Sequence, residues 1–322
     1  MRNTARNARK LGSMKFWVGL TDWDWYDFLS AQPTLEEVNF WQPGARRPVR
    51  LDVGAPFLFK LHAAQGGWIV GGGYYAHFTT LPPTLAWETF GLANGAATFA
   101  EMVTRITRYR AGFDVHGNQI GCVALVEPFF FPRELWIEPP ASWQAPTQVG
   151  RTYDTTEGDG ATLWDRIQLA LTATAPATQP AARESLWPEE RYGDPVLVRL
   201  RLGQGTFRTR VLDAYERRCV VTNERTLPVL QASHIRPYSQ SGPHAPENGL
   251  LLRSDVHTLF DRGYVTVTPD LKLHVSRSIR EEFQNGRDYY ALEGTQIRLP
   301  AAPNPPPLPE YLEWHADTIF RG

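Results

Sequence analysis

His234, His257 and Asp261 are the residues of this chain whose types and spacing best support chemistry. His257 and Asp261 stand four apart, so on a helix both side chains leave one face about one turn apart and can share a cation. His234 ends the apolar run VLQASHI, which reads as a strand. If that strand folds back onto the helix, its imidazole faces the same point from the opposite side. A neutral imidazole with an ordinary pKa of about 6.5 can take a proton from water at neutral pH, and a divalent ion can stabilise a departing 3′ oxygen. Asn248, in the intervening loop, is expected to pin that loop by hydrogen bonds and to orient His234.

The surrounding residues supply the elements that would position this set. RPYSQSGPHAPEN carries turn formers without a helical period and reads as a loop. GLLL predicts a second strand, Ser254 an N-cap, and residues from about Asp255 to Phe260 a helix stopped near Gly263. YVTVTPDLKLHV reads as a hairpin behind it. His244 and His274 read as a loop histidine and a strand-face histidine without catalytic parts.

At these residues the chain resembles the HNH family of ββα-metal endonucleases. The likeness lies in Ala232-Ser233-His234-Ile235 with Pro237, in Glu247-Asn248-Gly249 with its three leucines, and in His257, Leu259-Phe260-Asp261 and Gly263. The lead-in RLGQGTFRTRVLDAYERRC is similar too, so the resemblance spans roughly residues 201–275. It implies a general base at His234, the central asparagine at Asn248 and helix-borne metal ligands at His257 and Asp261. It further implies one divalent ion, Mg²⁺ or Mn²⁺, and phosphodiester hydrolysis leaving a 5′ phosphate. Two positions depart from the pattern. Ser233 stands where many members carry a ligating Asp or His, and a hydroxyl is a poor ligand for a hard cation. Cys219 has no second cysteine nearby, so no structural zinc is expected.

Composition bounds the rest. At 322 residues the chain has room for two cores, and with 42% hydrophobic and 12% aromatic residues it reads as globular. No run of about 18 apolar residues predicts a membrane span, and no secretory signal is read at the start. Cys122 and Cys219 are the only cysteines, which suits a reducing compartment, and a cytoplasmic location is expected. A net charge of −1 argues against indiscriminate coating of nucleic acid. Among the cations arginine dominates, with lysine only at positions 10, 15, 60 and 272, and Arg208, Arg217 and Arg236 are candidates for phosphate contact.

An α+β architecture is expected, with residues 1–13 as an extension, 14–175 as a first domain, 176–195 as a Pro- and Ala-rich linker and 196–322 as the domain holding the histidines. In the first domain KFWVGL, RPVRLDVG, PFLFKLHA, GWIVGGGYYAHF and IGCVALVEPFFF read as strands, and Thr34 to Glu37 and Ala97 to Tyr109 as helices. A small mixed β barrel with flanking helices fits them. This segment resembles the PUA-like superfamily, to which SRA, EVE and YTH modified-base readers belong, through its strand order and a Gly-rich turn. A reader of an extruded base needs an aromatic wall and fixed polar groups, and Asp22, Trp23, Trp41 and Tyr74 are the candidates. Gly71, Gly72 and Gly73 could admit close approach of DNA, or mark a bulge.

Together these readings predict a modification-dependent restriction endonuclease of the type IV kind. It would flip a modified cytosine, 5-methyl or 5-hydroxymethyl, in double-stranded DNA and act as a homodimer. The alternative is an HNH effector nuclease, of the toxin or abortive-infection type, indifferent to base modification. A binding protein that no longer cleaves, and an RNA substrate, are further alternatives.

Overall fold

A computed structural model describes residues 13–47, 49–144, 149–174 and 202–322. The chain divides into two compact units, Met1–Arg201 and Leu202–Gly322. The expected linker at 176–195 lies outside the described residues, as does the expected extension apart from Ser13.

The first unit is built on a six-stranded mixed sheet. Its elements are β1 (Lys15–Thr21), α1 (Trp23–Ser30), β2 (Glu37–Gln42), β3 (Pro56–Leu61), β4 (Ile69–Leu81), α2 (Pro83–Phe90), α3 (Phe99–Tyr109), β5 (Ile120–Phe130), β6 (Gly150–Asp154) and α4 (Gly158–Thr174). The strand order is β2-β5-β4-β3-β1-β6. β1 and β3 run parallel, with Thr21 opposite Leu61, and the other pairs are antiparallel. β2 and β6 are the two edges, so among the described residues the pairing does not close a barrel.

Both faces of the central strands are covered, which explains why they read as near-continuous apolar runs. Phe16 and Val18 of β1 join Leu58, Ile69 and Phe131 in a core that includes Leu163, Trp164 and Ile167 of α4. Burying each such large side chain contributes about 1.5–3 kcal/mol. Another aromatic cluster joins Trp25 of α1 to Phe40 and Phe59, at 5.6 and 5.0 Å between ring centroids.

Several expectations are corrected here. Thr34 to Glu36 form no helix, and Glu37 instead starts β2, whose residues are nearly all buried. RPVRLDVG is not a strand over its described residues. Sequence reading missed α1, in which Leu29 is buried about one turn after the adjacent Trp25 and Tyr26, and also α2. Gly71 and Gly72 face protein: a Cβ would lie 2.3 Å from the Phe129 carbonyl at the first and 2.7 Å from the Phe57 carbonyl at the second. The run therefore lets β4 pack between β3 and β5 at an irregular register.

The second unit comprises α5 (Gln204–Ala214), β7 (Leu230–His234), β8 (Gly249–Arg253), α6 (Ser254–Asp261), β9 (Val265–Val267), β10 (Leu273–Val275), α7 (Ser278–Phe283), α8 (Arg287–Tyr290) and α9 (Pro309–Thr318). β7 and β8 pair antiparallel with His234 opposite Gly249, and β9 pairs with β10. Helix α6 follows β8 without a loop. Its N-cap is Arg253, not Ser254, because the strand backbone remains extended to Arg253 and turns helical at Ser254. Gly263 ends the turn after α6 at φ +74°, where a Cβ would lie 2.0 Å from the Ile319 carbonyl.

Candidate active site

The alternation of β7 decides which side chains can reach the site. Ala232 and His234 line a cavity of about 280 Å³ together with Gln204, Tyr238, His257, Asp261 and His315, among others. Ser233, on the other side of the strand, is fully buried and its hydroxyl lies 3.4 Å from the His234 carbonyl oxygen. It is therefore withheld from the cavity as well as being a poor ligand.

α6 delivers the acidic and imidazole pair. His257 Nε2 lies 3.3 Å from Asp261 Oδ2, as the spacing of four requires. The other nitrogen, Nδ1, is 2.6 Å from Gln231 Oε1. An amide oxygen only accepts, so Nδ1 carries the proton and Nε2 presents its lone pair beside the Asp261 carboxylate. Burial pushes the His257 imidazole below its usual value, with Asp261 opposing. A nitrogen lone pair and a carboxylate at this separation suit one hard cation completed by water and phosphate oxygens. Among the described residues no group of three or more His, Cys, Asp or Glu could hold a metal, so the donor set is an open one.

His234 is fixed by two contacts. Its ring stacks on Phe207 of α5 at 3.8 Å between centroids and 13° between planes. Its Nε2 lies 2.8 Å from His244 Nδ1. Burial, followed by the neighbouring His244 and His257, pushes its pKa down to about 4. The imidazole is thus neutral at pH 7 and able to accept a proton.

Asn248 is fully buried and spends its side chain on the loop. Its Oδ1 accepts from Arg236 N at 2.9 Å, and its Nδ2 donates to the carbonyls of Arg236 and Pro243 at 2.9 Å each. It therefore holds both ends of the segment between His234 and His244. It reaches the base through the backbone, with Ile235 N donating to its carbonyl at 2.9 Å. Gly249 beside it admits α5, since a Cβ there would lie 2.5 Å from Val211 Cγ2.

Of the expected phosphate contacts, Arg236 follows the base by two residues, lies over the Trp314 ring at 5.5 Å and donates from Nε to the Gln240 carbonyl at 2.7 Å. Arg217 is paired to Asp213 at 3.3 Å. Arg208 lies on α5, half-buried and engaged with its surroundings.

Sequence reasoning gave His244 and Gln231 no part in the site, and it read a short amphipathic helix in the C-terminal tail, now α9, without tying it to the site. His315 of α9 is buried, stacks on Phe260 at 3.7 Å and holds Thr266 Oγ1 and the Phe260 carbonyl at 2.8 and 3.1 Å. The available signals were slight: a histidine ten residues after the base, and a glutamine three before it.

In the first unit the four residues proposed for a base pocket separate. Trp41 is 9% exposed on β2 and its indole N–H donates to the Asn94 carbonyl at 2.9 Å. Tyr74 is 7% exposed on β4 and lies beside Phe129. Both are core residues, because the faces of β2 and β4 that carry them are covered. Asp22 and Trp23 remain together at the start of α1, beyond the carboxyl end of β1. Trp23 is 39% exposed. The Asp22 carboxylate accepts from the Tyr109 hydroxyl and lies 3.5 Å from His62 Nε2 at the end of the parallel strand β3. Burial, then the Asp22 carboxylate, pushes the Tyr109 phenol up to about 12, which keeps it a donor.

Residues 219–268 match the family model described as HNH endonuclease. Among curated proteins none matches the chain. A solved structure described as a modification dependent TagI restriction endonuclease is similar at 13% identity, over 90% of this chain and 78% of that one, with a TM-score of 0.28, too low to establish a shared fold. The second unit thus carries an HNH endonuclease domain, and its chemistry is phosphodiester hydrolysis. No described helix is long and apolar enough to cross a membrane.

Proposed function

We propose that this chain is a modification-dependent restriction endonuclease that cuts double-stranded DNA with its second unit and inspects a modified cytosine with its first. The observation that carries the nuclease half is the convergence of His234 with His257 and Asp261 on one cavity. Water held against His234 gives a proton to the imidazole as its oxygen bonds to phosphorus. The P–O3′ bond breaks in line, and the 3′ oxygen leaves with the electron pair. A divalent ion, Mg²⁺ or Mn²⁺, held by His257 and Asp261 would supply Lewis-acid stabilisation of that leaving oxygen. Arg236, beside the base, suits the flanking phosphate.

Support for the reader half is the group at the start of α1: an exposed indole beside a carboxylate already held by a phenol and an imidazole. An indole can stack on an extruded base, and a carboxylate accepts from the exocyclic amino group of cytosine. We propose Asp22 and Trp23 as the base-contacting residues, on a PUA-like fold. A homodimer would place one site on each strand of a duplex. The retreat of Trp41 and Tyr74 into the core favours the second reading, an effector nuclease without base specificity.

The test is incubation of the purified chain with Mg²⁺ or Mn²⁺ and matched duplexes carrying cytosine, 5-methylcytosine or 5-hydroxymethylcytosine. Cutting confined to a modified duplex is expected. Equal cutting of all three would favour the effector reading.

A further inference from the structure

The loop between β7 and β8 holds a second histidine that the motif does not require. His244 Nδ1 sits 2.8 Å from His234 Nε2. One proton lies between the two nitrogens, and its owner decides whether His234 can work. If His244 donates it, the neutral His234 ring carries its own proton on Nδ1. If His234 donates it, Nδ1 is bare. His234 lines the cavity, whereas His244, which its Nε2 meets, is not among the lining residues. Nδ1 is therefore the nitrogen left to serve the cavity.

We propose that His244 is a positioning residue for the general base: its Nδ1 accepts the His234 Nε2 proton, holding His234 in the tautomer with a bare Nδ1 turned to the attacking water. The inference rests on the nuclease reading for the choice of a bare Nδ1, and on geometry for the pairing of His234 Nε2 with His244 Nδ1. The support is built in layers. His244 stacks on Tyr238 at 4.6 Å and 9°, and Tyr238 begins the turn Tyr238–Gln240 inside the loop. Asn248 fixes the residue before His244 through the Pro243 carbonyl and the residue two after His234 through Arg236. Phe207 fixes the plane of the His234 ring. With ring plane, loop ends and acceptor all set, rotation of His234 would break a stack and a hydrogen bond together. When water gives its proton to Nδ1, the imidazolium keeps the Nε2–H bond to His244 unchanged, so the step needs no rearrangement there.

Two substitutions separate this role from packing. His244→Asn places an amide oxygen at the reach of the lost Nδ1 and keeps the acceptor while giving up the stack on Tyr238. His244→Phe keeps the stack and removes the acceptor. The ring nitrogens of His234 are read by long-range ¹H–¹⁵N correlation in the full-length ¹⁵N-histidine-labelled protein at pH 7, with His234→Ala for assignment. Single-turnover cleavage is measured alongside. Wild type and His244→Asn should show a protonated Nε2 and a bare Nδ1. His244→Phe should show mixed tautomers and cleave at least about tenfold more slowly, within the 10²–10⁴ that a general base supplies, at unchanged DNA affinity. A wild-type His234 protonated on Nδ1 would overturn the proposal whatever the cleavage rate. So would a His244→Phe variant with wild-type rate and tautomer, or a His244→Asn variant that loses both. A wild type with the expected tautomer but no cleavage of any DNA supports the positioning and counts against the nuclease reading alone.

Discussion

At the scale of residues, the site depends on which nitrogen of each imidazole is free. Gln231 holds the His257 Nδ1 proton at 2.6 Å, so Gln231→Leu lets the ring choose the other tautomer and turn its lone pair from Asp261. The expected result is a rise of about 10- to 100-fold in the metal concentration for half-maximal cleavage, the usual cost of losing an outer partner of a ligating histidine. Asp261→Ala should raise it too, and an unchanged metal titration in both would remove the pair from the metal site. His234→Ala should lower the cleavage rate by about 10²- to 10⁴-fold with DNA affinity retained. Because the His234 pKa is pushed down to about 4, the base stays neutral well below pH 6. The acid limb of the rate profile assigned to it should fall clearly below the ordinary histidine value of about 6.5. The placement of His234, His257 and Asp261 was legible in sequence because strand alternation and the helical spacing of four fix their directions, and that of Asn248 through its place in the loop and the family resemblance. His244 and Gln231 were not, since their contacts depend on how a long loop folds and on a flexible amide.

At the scale of elements, the second unit is closed by a helix that no sequence pattern tied to the site. α9 brings His315 against Phe260 of α6 and Thr266 of β9, with both ring nitrogens engaged. Burial pushes its pKa down to about 4, against about 6.5 in an unfolded chain. The folded state therefore binds fewer protons than the unfolded one between these values. Its contribution is complete above about pH 6.5 and is lost as pH falls towards 4, by roughly 3 kcal/mol in all. His315→Leu should cost about 1–3 kcal/mol at pH 7, through the unsatisfied carbonyl and hydroxyl. It should also flatten the acid-side decline in thermal stability of the full chain. A variant that declines as steeply as the parent between pH 6.5 and 4 would show that other groups govern that limb. Elements with a clear pattern were readable from the sequence, α3 by its helical period and β3 and β5 as continuous apolar runs. α1 was not, because WDWYDFLS places aromatics that serve the core where they also suit a pocket wall. The same ambiguity put Trp41 and Tyr74 in the wrong environment: an aromatic beside a turn does not declare which face of the sheet is covered.

At the scale of the whole molecule, what distinguishes a modification-dependent enzyme from a general nuclease is whether the first unit changes the choice of substrate. A chain with a net charge of −1 has little general attraction for a polyanion, so productive encounters need a specific contact. The group at the start of α1 is the proposed source of that contact. Asp22→Ala removes the acceptor for an exocyclic amine and leaves the Tyr109 hydroxyl and His62 without their shared carboxylate. Trp23→Ala removes exposed stacking area, a contact of about 1–3 kcal/mol per base in single-strand binding sites. Each should therefore weaken binding to the preferred modified duplex by about tenfold or more while leaving affinity for plain duplex unchanged. The metal requirement and the cleavage rate at saturating DNA should stay as in the parent, because neither residue belongs to the unit that carries His234. Equal losses on modified and plain DNA would make both residues structural and move specificity elsewhere. No loss on either would leave an HNH domain that cuts without a reader, which is the effector alternative in its testable form.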